Sequence, residues 1–300
     1  MNPVCHICGW SSGLLLDKDG YVHYECSKCG LVFVWPLPTE DKLKKEVYSE
    51  ESGYQAGKTT DDGSLSHLRH TKKILGSVKP GKLLDVGCSS GDFLITARDK
   101  GFEVDGIELN PRTAKQAKGR GLAVKIGTLA DAYFASGQFD VVHLGDVIEH
   151  VPNPRTLIRE CTRVLKDGGE LVISTPNIDC LWSRATLALF KWFKIPWSTA
   201  TPPHHLFLFN SINLDMFLKQ EGFAKRAKWY ERPPRLLYEL GNLHLWGKFK
   251  RHKSVENATF LIFAFALYSL LYALNFAISL VLTRNFGQVG IYQKQNAQNI

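Results

Sequence analysis

The sequence lacks the glycine patterns that usually hold a phosphate. In "LLDVGCSSGDFL", residues 83–94, an apolar run opens into a turn that contains only Gly87 and Gly91, with Cys88 between them. A dinucleotide fingerprint needs glycine at three set positions, and a phosphate loop needs a Gly-Lys-Ser/Thr sequence after the turn. Neither pattern is present at this turn. The glycine-rich turn therefore predicts a nucleotide-type ligand that is not held through a phosphate group.

The chain also lacks a secretory signal, because "MNPVCHICGW" has no basic start followed by an apolar core. We therefore expect a cytosolic protein, and a reducing compartment favours metal binding over disulfides for clustered cysteines. Acidic residues are scarcer than basic ones, 29 against 37, which leaves a net charge of +8. This excess indicates an anionic partner, which can be nucleic acid, a phosphate-bearing substrate or a membrane surface.

Four of the seven cysteines form two pairs, with two residues between the members of each pair. This spacing lets both thiolates of a pair face one ion, and Gly9 and Gly30 suit the tight turn that follows each pair. Four thiolates close a zinc tetrahedron, so the predicted site is structural rather than catalytic. A redox pair would need a thioredoxin-like strand and helix, which the pattern does not show. The predicted zinc ligands are Cys5, Cys8, Cys26 and Cys29.

Between residues 65 and 178, apolar strand-like runs alternate with helical patterns, which predicts an α/β fold with a parallel sheet covered on both faces. The predicted strands of this region are "KLLDVG", "EVDGIE", "LAVKIG", "FDVVHLG" and "ELVISTP". Two further strands are predicted at "AKRAKWYERP" and "GQVGIYQK". In such sheets a ligand lies beyond the carboxyl ends of the strands, where the chain places residues 85–91, 108–110, 146–150 and 175–177.

The charge at these strand ends narrows the ligand. Asp85 ends the first strand of the pattern and Asp92 opens the next helix, so a pyrophosphate would meet carboxylates. A ligand with an ammonium, a sulfonium, a ribose and an adenine suits the same turn. Glu108 ends the second strand, where an acidic residue can accept hydrogen bonds from ribose hydroxyls. These features predict S-adenosylmethionine as the cofactor.

The quoted turn, "VDGIELNP", "FDVVHLGDVIEHVPNP" and "LKDGGELVISTPN" resemble, in order and spacing, the motifs of the Rossmann-like (class I) S-adenosylmethionine-dependent methyltransferases. The segment "PHHLFLF" followed by "FLKQEGF" resembles the subgroup with quinone and glycan methyltransferases, in which an N-terminal zinc ribbon also recurs. The resemblance implies a seven-stranded, mostly parallel sheet flanked by helices. From the sequence as a whole we predict a ribbon at 1–38, a helical linker at 39–80, the core at 81–231, an apolar helical insertion at 232–286, and a closing strand and tail at 287–300. The apolar insertion departs from a minimal methyltransferase.

The same resemblance implies the cofactor-binding residues. Many relatives place an acid directly after the glycine of "GTLAD" to bind the adenine amino group, whereas Thr128 stands there in this chain. Adenine is therefore assigned to backbone groups near Thr128 and Leu129. The full set of predicted cofactor-binding residues is Asp85, Gly87, Cys88, Gly91, Glu108, Leu109, Thr128, Leu129, Leu144 and Gly145.

Methyl transfer to oxygen needs alignment of the acceptor and benefits from a base near the acceptor proton. The candidates are Glu149 and His150 after "FDVVHLG", and His204 and His205 in "TPPHHLF". An imidazole suits the role because it is mostly neutral at cellular pH. We favour His150 as the base and assign His204 and His205 to acceptor contacts, although a histidine at a helix start or in a proline-rich loop is often only structural.

Residues 258–283 form an uncharged apolar stretch that is long enough to span a bilayer. A single crossing would separate the last strand from a cytosolic sheet, so the segment must form a hairpin, lie in the membrane interface, or pack against the core or a partner subunit. The upstream "KFKRHK" and the Trp- and Lys-rich "LWSRATLALFKWFKIPW" favour an anionic membrane surface.

These features together predict a cytoplasmic, peripherally membrane-associated O-methyltransferase that acts on a small, lipid-linked or glycan-type acceptor. Homo-oligomerisation is compatible with the apolar segment. RNA methylation is an alternative, but the basic residues cluster beside apolar stretches and not on the ribbon, so we do not expect nucleic acid as a partner. A non-catalytic zinc-ribbon adaptor with a cofactor-binding fold is the third possibility.

Overall fold

The computed structural model describes residues 2–39, 41–43, 64–193, 197, 199–231, 255–279 and 285–295. Eleven strands are found in these parts of the chain: β1 Ser12–Lys18, β2 Tyr21–Cys26, β3 Val32–Val34, β4 Lys82–Val86, β5 Glu103–Glu108, β6 Ala123–Ile126, β7 Phe139–Gly145, β8 Leu165–Pro176, β9 Phe207–Leu208, β10 Phe223–Glu231 and β11 Gly287–Lys294. The α-helices there are α1 Ser64–Gly76, α2 Asp92–Asp99, α3 Pro111–Gly119, α4 Pro154–Val164, α5 Leu181–Phe193, α6 Ser211–Gln220 and α7 Val255–Ser279.

A seven-stranded sheet with the order β10-β11-β8-β7-β4-β5-β6 confirms the predicted Rossmann-like α/β fold. Its central strands β6, β5, β4, β7 and β8 pair in parallel. The last strand, β11, lies between β8 and β10, as the predicted closing strand requires. Central strands are buried on both faces, which explains their unbroken apolar runs, such as the fully buried Leu83, Leu84 and Val142.

Two helices that follow strands of this sheet begin with the same local signal. Asn110 caps α3 by accepting hydrogen bonds from the Arg112 and Thr113 backbone N–H groups, and Pro111 occupies the first turn. Asn153 caps α4 in the same way through the Thr156 N–H, and Pro154 follows it. An Asn-Pro pair therefore starts each helix, because the amide side chain satisfies exposed N–H groups and proline needs none.

The chain divides into two compact units, and each unit is assembled from separate segments. We define the ribbon unit as Met1–Trp35, Pro176–Asn213 and Trp229–Val289, and the sheet unit as Pro36–Thr175, Leu214–Lys228 and Gly290–Ile300. The N-terminal cysteine ribbon is thus joined in one unit by two segments that lie more than 140 residues further along the chain.

The ribbon unit contains a four-stranded sheet with the order β1-β2-β3-β9. β9 comes from the "PHHLFLF" segment and pairs antiparallel with β3, so that Val32 faces Leu208 and Phe33 faces Phe207. The unit also holds Trp197, which is fully buried and donates its indole N–H to the Ser183 carbonyl at 3.0 Å. The "PHHLFLF" segment therefore completes the ribbon sheet.

Helix α7 provides the predicted helical structure of the apolar segment as far as residue 279, and residues 280–284 and the Lys248–Lys253 cluster lie outside the described residues. Within the ribbon unit, α7 packs on α5 through Trp182, whose ring meets those of Tyr268 and Tyr272 edge-on at 5.3 and 5.8 Å. Among the described residues, no helix has the length and apolarity that crossing a membrane requires.

Candidate ligand site at the strand ends

The turn after β4 has a backbone conformation that leaves no room for a Cβ at its two glycines. Gly87 has a φ of 80°, and a Cβ on it would lie 2.7 Å from the Val147 side chain. Gly91 has a φ of 88°, and a Cβ there would overlap Leu122. The Gly87 and Cys88 N–H groups both donate to the Ile107 carbonyl, at 2.8 and 2.9 Å. The two glycines therefore let the turn lie close against Val147, which follows β7, and Leu122, which follows α3.

Glu108, at the end of β5, holds this turn with both carboxylate oxygens. One oxygen accepts the Ser89 N–H at 2.8 Å, and the other accepts the Asn110 N–H at 2.7 Å. Glu108 is 6% exposed, and burial raises the pKa of its carboxyl above the usual value, against the opposing effect of these two N–H donors. Each carboxylate oxygen keeps a second lone pair for a further donor. Glu108 is thus placed to accept hydroxyl groups of a ligand.

Asp85, at the end of β4, is paired with a residue that the sequence reasoning missed. Its Oδ1 lies 2.7 Å from Nδ1 of His143 on the neighbouring strand β7, and both residues are buried. The Phe93 ring stacks on the imidazole with centroids 3.8 Å apart and planes at 9°. A polar residue inside the apolar strand "FDVVHLG" was the available signal for His143.

Charge at the turn differs in one respect from the sequence argument. Asp92, at the start of α2, forms an ion pair with Arg120 at 2.6 Å, and Arg120 also donates to the Ser90 carbonyl at 2.8 Å. Asp92 is therefore already neutralised by a cation. At the ends of β4 and β5, the negative charge that stays available comes from Asp85 and Glu108.

Four more of the predicted cofactor residues lie in different surroundings. Cys88 is 4% exposed, and burial raises the pKa of its thiol, so it stays protonated and uncharged. Leu144 is fully buried, which leaves only its backbone to meet a ligand, whereas Leu109 is half-buried. At Gly145, a Cβ would lie 2.7 Å from the His143 ring, so the glycine leaves room for that ring.

The segment after β6 contains an acidic residue, Asp131, that was not singled out from the sequence. The Thr128 N–H and hydroxyl both donate to Oδ2 of Asp131, at 3.1 and 2.6 Å. Leu129 is buried beneath this loop. The Thr128 N–H is therefore engaged by Asp131, and the Thr-x-x-Asp spacing, typical of a capping arrangement, was the signal for it.

Glu149 follows β7 and is an acidic side chain buried in the fold. It is 1% exposed, and neither carboxyl oxygen has a hydrogen-bond partner among the described residues. Burial, and then the nearby Asp146 carboxylate, raise the pKa of Glu149 well above its usual value. Glu149 is therefore a neutral acid over a range of pH in which an exposed glutamate is charged. His150 beside it is half-buried, and its N–H donates to the Val147 carbonyl at 3.0 Å.

His204 and His205 belong to the ribbon unit. Their backbone N–H groups donate to the Thr201 carbonyl at 2.8 and 3.1 Å, which fixes this turn. Nδ1 of His205 lies 2.8 Å from the Thr199 carbonyl oxygen. Because a carbonyl only accepts, Nδ1 carries the hydrogen in the neutral ring, and the acceptor lone pair of His205 is on Nε2.

The four ribbon cysteines come together at the end of the small sheet. The Sγ atoms of Cys5 and Cys29 are 3.6 Å apart, those of Cys8 and Cys26 are 3.4 Å apart, and all four lie within 4.8 Å of one another. None of them forms a disulfide. A zinc tetrahedron with Zn–S bonds of about 2.3 Å places its sulfurs about 3.8 Å apart, so this donor set fits zinc.

Comparison with known proteins agrees with this geometry. A sequence profile of the family described as "Methyltransferase domain" matches residues 65–228, more than half of the chain. A ubiquinone biosynthesis O-methyltransferase from Idiomarina loihiensis is 36% identical over 117 residues, which cover 36% of this chain and 46% of the relative. A second one, from Bordetella avium, is 33% identical over 119 residues, 37% of this chain and 48% of the relative. The matches thus span about half the length of these curated relatives.

Two solved structures resemble the fold at low sequence identity. A SAM dependent methyltransferase from Archaeoglobus fulgidus has a TM-score of 0.50 and 17% identity, covering 77% of this chain and 94% of its own. Phosphoethanolamine N-methyltransferase 2 from Haemonchus contortus, solved with S-adenosyl-L-methionine, has a TM-score of 0.51 and 18% identity, covering 77% of this chain and 53% of its own. At this level of identity the likeness concerns the fold alone.

Proposed function

Since this chain belongs to the class I S-adenosylmethionine-dependent methyltransferases, we propose that it methylates an oxygen of a small, lipid-linked or glycan-type acceptor at the cytosolic face of a membrane. The ubiquinone O-methyltransferase names of its partial relatives support an acceptor of this kind.

The observation that carries the cofactor assignment is the pair of buried carboxylates, Asp85 and Glu108, at the ends of adjacent strands beside a glycine turn. Carboxylates repel phosphate and attract an ammonium, and Glu108 keeps lone pairs for ribose hydroxyls. The residues present therefore fit S-adenosylmethionine, with Asp85, Gly87 and Gly91 holding its methionine part and Glu108 its ribose. When bound, this cofactor supplies a methyl group on a positively charged sulfur.

The protein's own chemical task is then to align the acceptor and take its proton. His150, which we favoured from the sequence, stays the proposed base, with His204 and His205 as acceptor contacts. The Thr199 contact of His205 supports such a role, because it fixes the orientation of that ring through Nδ1. The variants His150→Gln and His205→Gln should lower kcat while the Kd for S-adenosylmethionine stays within twofold. Unchanged kcat in both variants would remove the histidines from the mechanism.

For the ribbon we propose one structural zinc ion held by the four cysteines. The sulfur spacing and the absence of disulfides among them support it. With four thiolates the ion has no open coordination position, so it stabilises the ribbon and takes no part in methyl transfer.

Exposed apolar side chains of the ribbon unit support the membrane part of the proposal. Trp192 on α5 is 79% exposed, and Ile262 and Leu270 on α7 are 69% and 67% exposed. Exposed apolar surface of this kind marks a contact with another molecule or with lipid. By sequence, four basic residues between Lys248 and Lys253 precede α7, which suits an anionic bilayer.

Vesicle co-sedimentation tests the membrane contact. The wild type should sediment with vesicles of phosphatidylcholine and phosphatidylglycerol. The double variant Ile262→Ser/Leu270→Ser should bind about thirtyfold less, at about 1 kcal/mol per removed apolar side chain. The control Ile126→Ser removes an apolar side chain of the sheet unit that is 49% exposed, and it should leave vesicle binding unchanged. Equal binding by all three proteins would contradict the assigned surface.

The acceptor class is tested with radiolabelled S-adenosylmethionine and three substrates: a membrane lipid extract, a water-soluble glycan fraction and total RNA. We expect label in the lipid or glycan fraction. Transfer to RNA alone would overturn the acceptor assignment, and absence of transfer to any fraction would favour the non-catalytic adaptor.

A further inference from the structure

His143 occupies a place in the sheet where an apolar residue is expected. It lies in the centre of β7, in register with Asp85 of the parallel neighbour β4. Its side chain is 6% exposed and that of Asp85 is 4% exposed. Burying two polar groups in a sheet is costly unless they are hydrogen-bonded, and the 2.7 Å contact provides a partner for Nδ1 of His143 and Oδ1 of Asp85.

The surroundings of His143 restrict its ring to one orientation. Phe93 covers one face of the ring in a parallel stack, and the edge near Cε1 faces Gly145, where no side chain fits. The carboxylate of Asp85 only accepts hydrogen bonds, so Nδ1 carries the hydrogen that joins them. Nε2 is buried and has no hydrogen-bond partner among the described residues, so the ring is held by packing and by Asp85.

We propose that His143 is a positioning residue that holds the Asp85 carboxylate in the orientation needed to bind the ammonium of the cofactor's amino-acid part. The inference rests on the proposed function, because it assigns the partner of Asp85 from S-adenosylmethionine. Nδ1 occupies one oxygen of Asp85 and leaves Oδ2 for a cationic ligand. Without the imidazole, the carboxylate has no described hydrogen-bond donor to fix its rotation.

A ligand with the amino-acid part and one without it separate this role from simple packing. S-adenosylmethionine carries the ammonium on a chain attached to a sulfonium, whereas 5′-methylthioadenosine keeps the adenosine, has an uncharged thioether sulfur and lacks the ammonium. Calorimetry on His143→Leu should show the Kd for S-adenosylmethionine raised tenfold or more, and the Kd for 5′-methylthioadenosine within twofold of wild type. His143→Asn keeps an N–H near the position of Nδ1 and should restore S-adenosylmethionine binding to within threefold.

Two further variants complete the design. Val141→Ala removes buried packing from the same strand without touching the pair, and it should not separate the two ligands. In the background Asp85→Asn, adding His143→Leu should cause little further loss, because the residues act as one unit. If His143→Leu does not fold, His143→Gln replaces it, since its amide lies further out than Nδ1 and should give the same selective loss.

The outcomes are distinguishable. If His143→Leu lowers the affinity for both ligands equally, the variant has only lost packing. If His143→Leu binds S-adenosylmethionine like wild type, Asp85 needs no positioning residue. Either result overturns the inference while the proposed function stands. A wild type that binds neither ligand overturns the proposed function and this inference with it.

Discussion

Replacing Glu108 with alanine removes the link between the glycine turn and the start of α3. In the folded protein without ligand, two backbone N–H groups lose their acceptor, those of Ser89 and Asn110. Ser89 is half-buried and can turn to water, whereas Asn110 is 5% exposed and cannot. One stranded buried N–H costs about 1–3 kcal/mol, which is the loss expected in the free energy of unfolding.

The affinity of Glu108→Ala for S-adenosylmethionine should also fall, because the ribose hydroxyls lose a hydrogen-bond acceptor. This effect is separate from the loss of stability. A further loss of about 1–3 kcal/mol corresponds to a Kd for S-adenosylmethionine raised roughly 5- to 150-fold. Urea unfolding measures the first effect and calorimetry the second. The matched control is Glu103→Ala at the other end of β5, where a carboxylate that is 72% exposed pairs with Lys82. It should change stability by less than about 1 kcal/mol and binding not at all.

Two results would contradict these roles of Glu108. If Glu108→Ala unfolds at the same urea concentration as Glu103→Ala, the two N–H contacts carry no stability. If its affinity for S-adenosylmethionine equals that of wild type, Glu108 does not hold the ribose.

Three more predictions concern zinc, Glu149 and Gly91. Metal analysis of protein prepared without oxygen should find about one zinc per chain, lost in Cys26→Ser because three thiolates leave the tetrahedron open; metal-free wild type would contradict the ribbon site. Burial raises the pKa of Glu149, so the unfolded chain releases this proton at lower pH than the folded protein does. The free energy of unfolding therefore falls as pH rises from about 4.5, the usual value, towards the raised pKa. Glu149→Gln should unfold at a higher urea concentration than wild type, by a margin that grows over this pH range, and a constant margin would refute the burial argument. Gly91→Ala should lower the free energy of unfolding by about 1–3 kcal/mol, because the new Cβ overlaps Leu122 and the residue has a positive φ. The control Gly119→Ala lies at a helical position with nothing within 4 Å of the new Cβ, and it should raise the free energy of unfolding by up to about 1 kcal/mol. Equal effects of the two variants would count against the close packing of the turn.

Much of the fold could be predicted because it follows local rules. The central strands were readable as apolar runs, since strands buried on both faces need no polar side. The turn at Gly87 and Gly91 was readable because positive φ angles select glycine, and the helix starts at Asn110 and Asn153 because asparagine caps helices. The site was harder to predict, because burial and pairing do not show in local patterns. Glu149 was singled out, but its burial without a hydrogen-bond partner among the described residues was not.

The sequence alone determined the order of strand, turn and helix, the four-cysteine cluster and the apolar helix, since each depends on residues close together in the chain. Tertiary structure decided which distant residues meet. His143 and Asp85 are 58 positions apart and face each other only through the register of β4 and β7. Phe207 joins Phe33 only because β9 adds to the ribbon sheet. Parallel pairing and sheet addition are set by packing over the whole fold, so no short stretch of sequence specifies them.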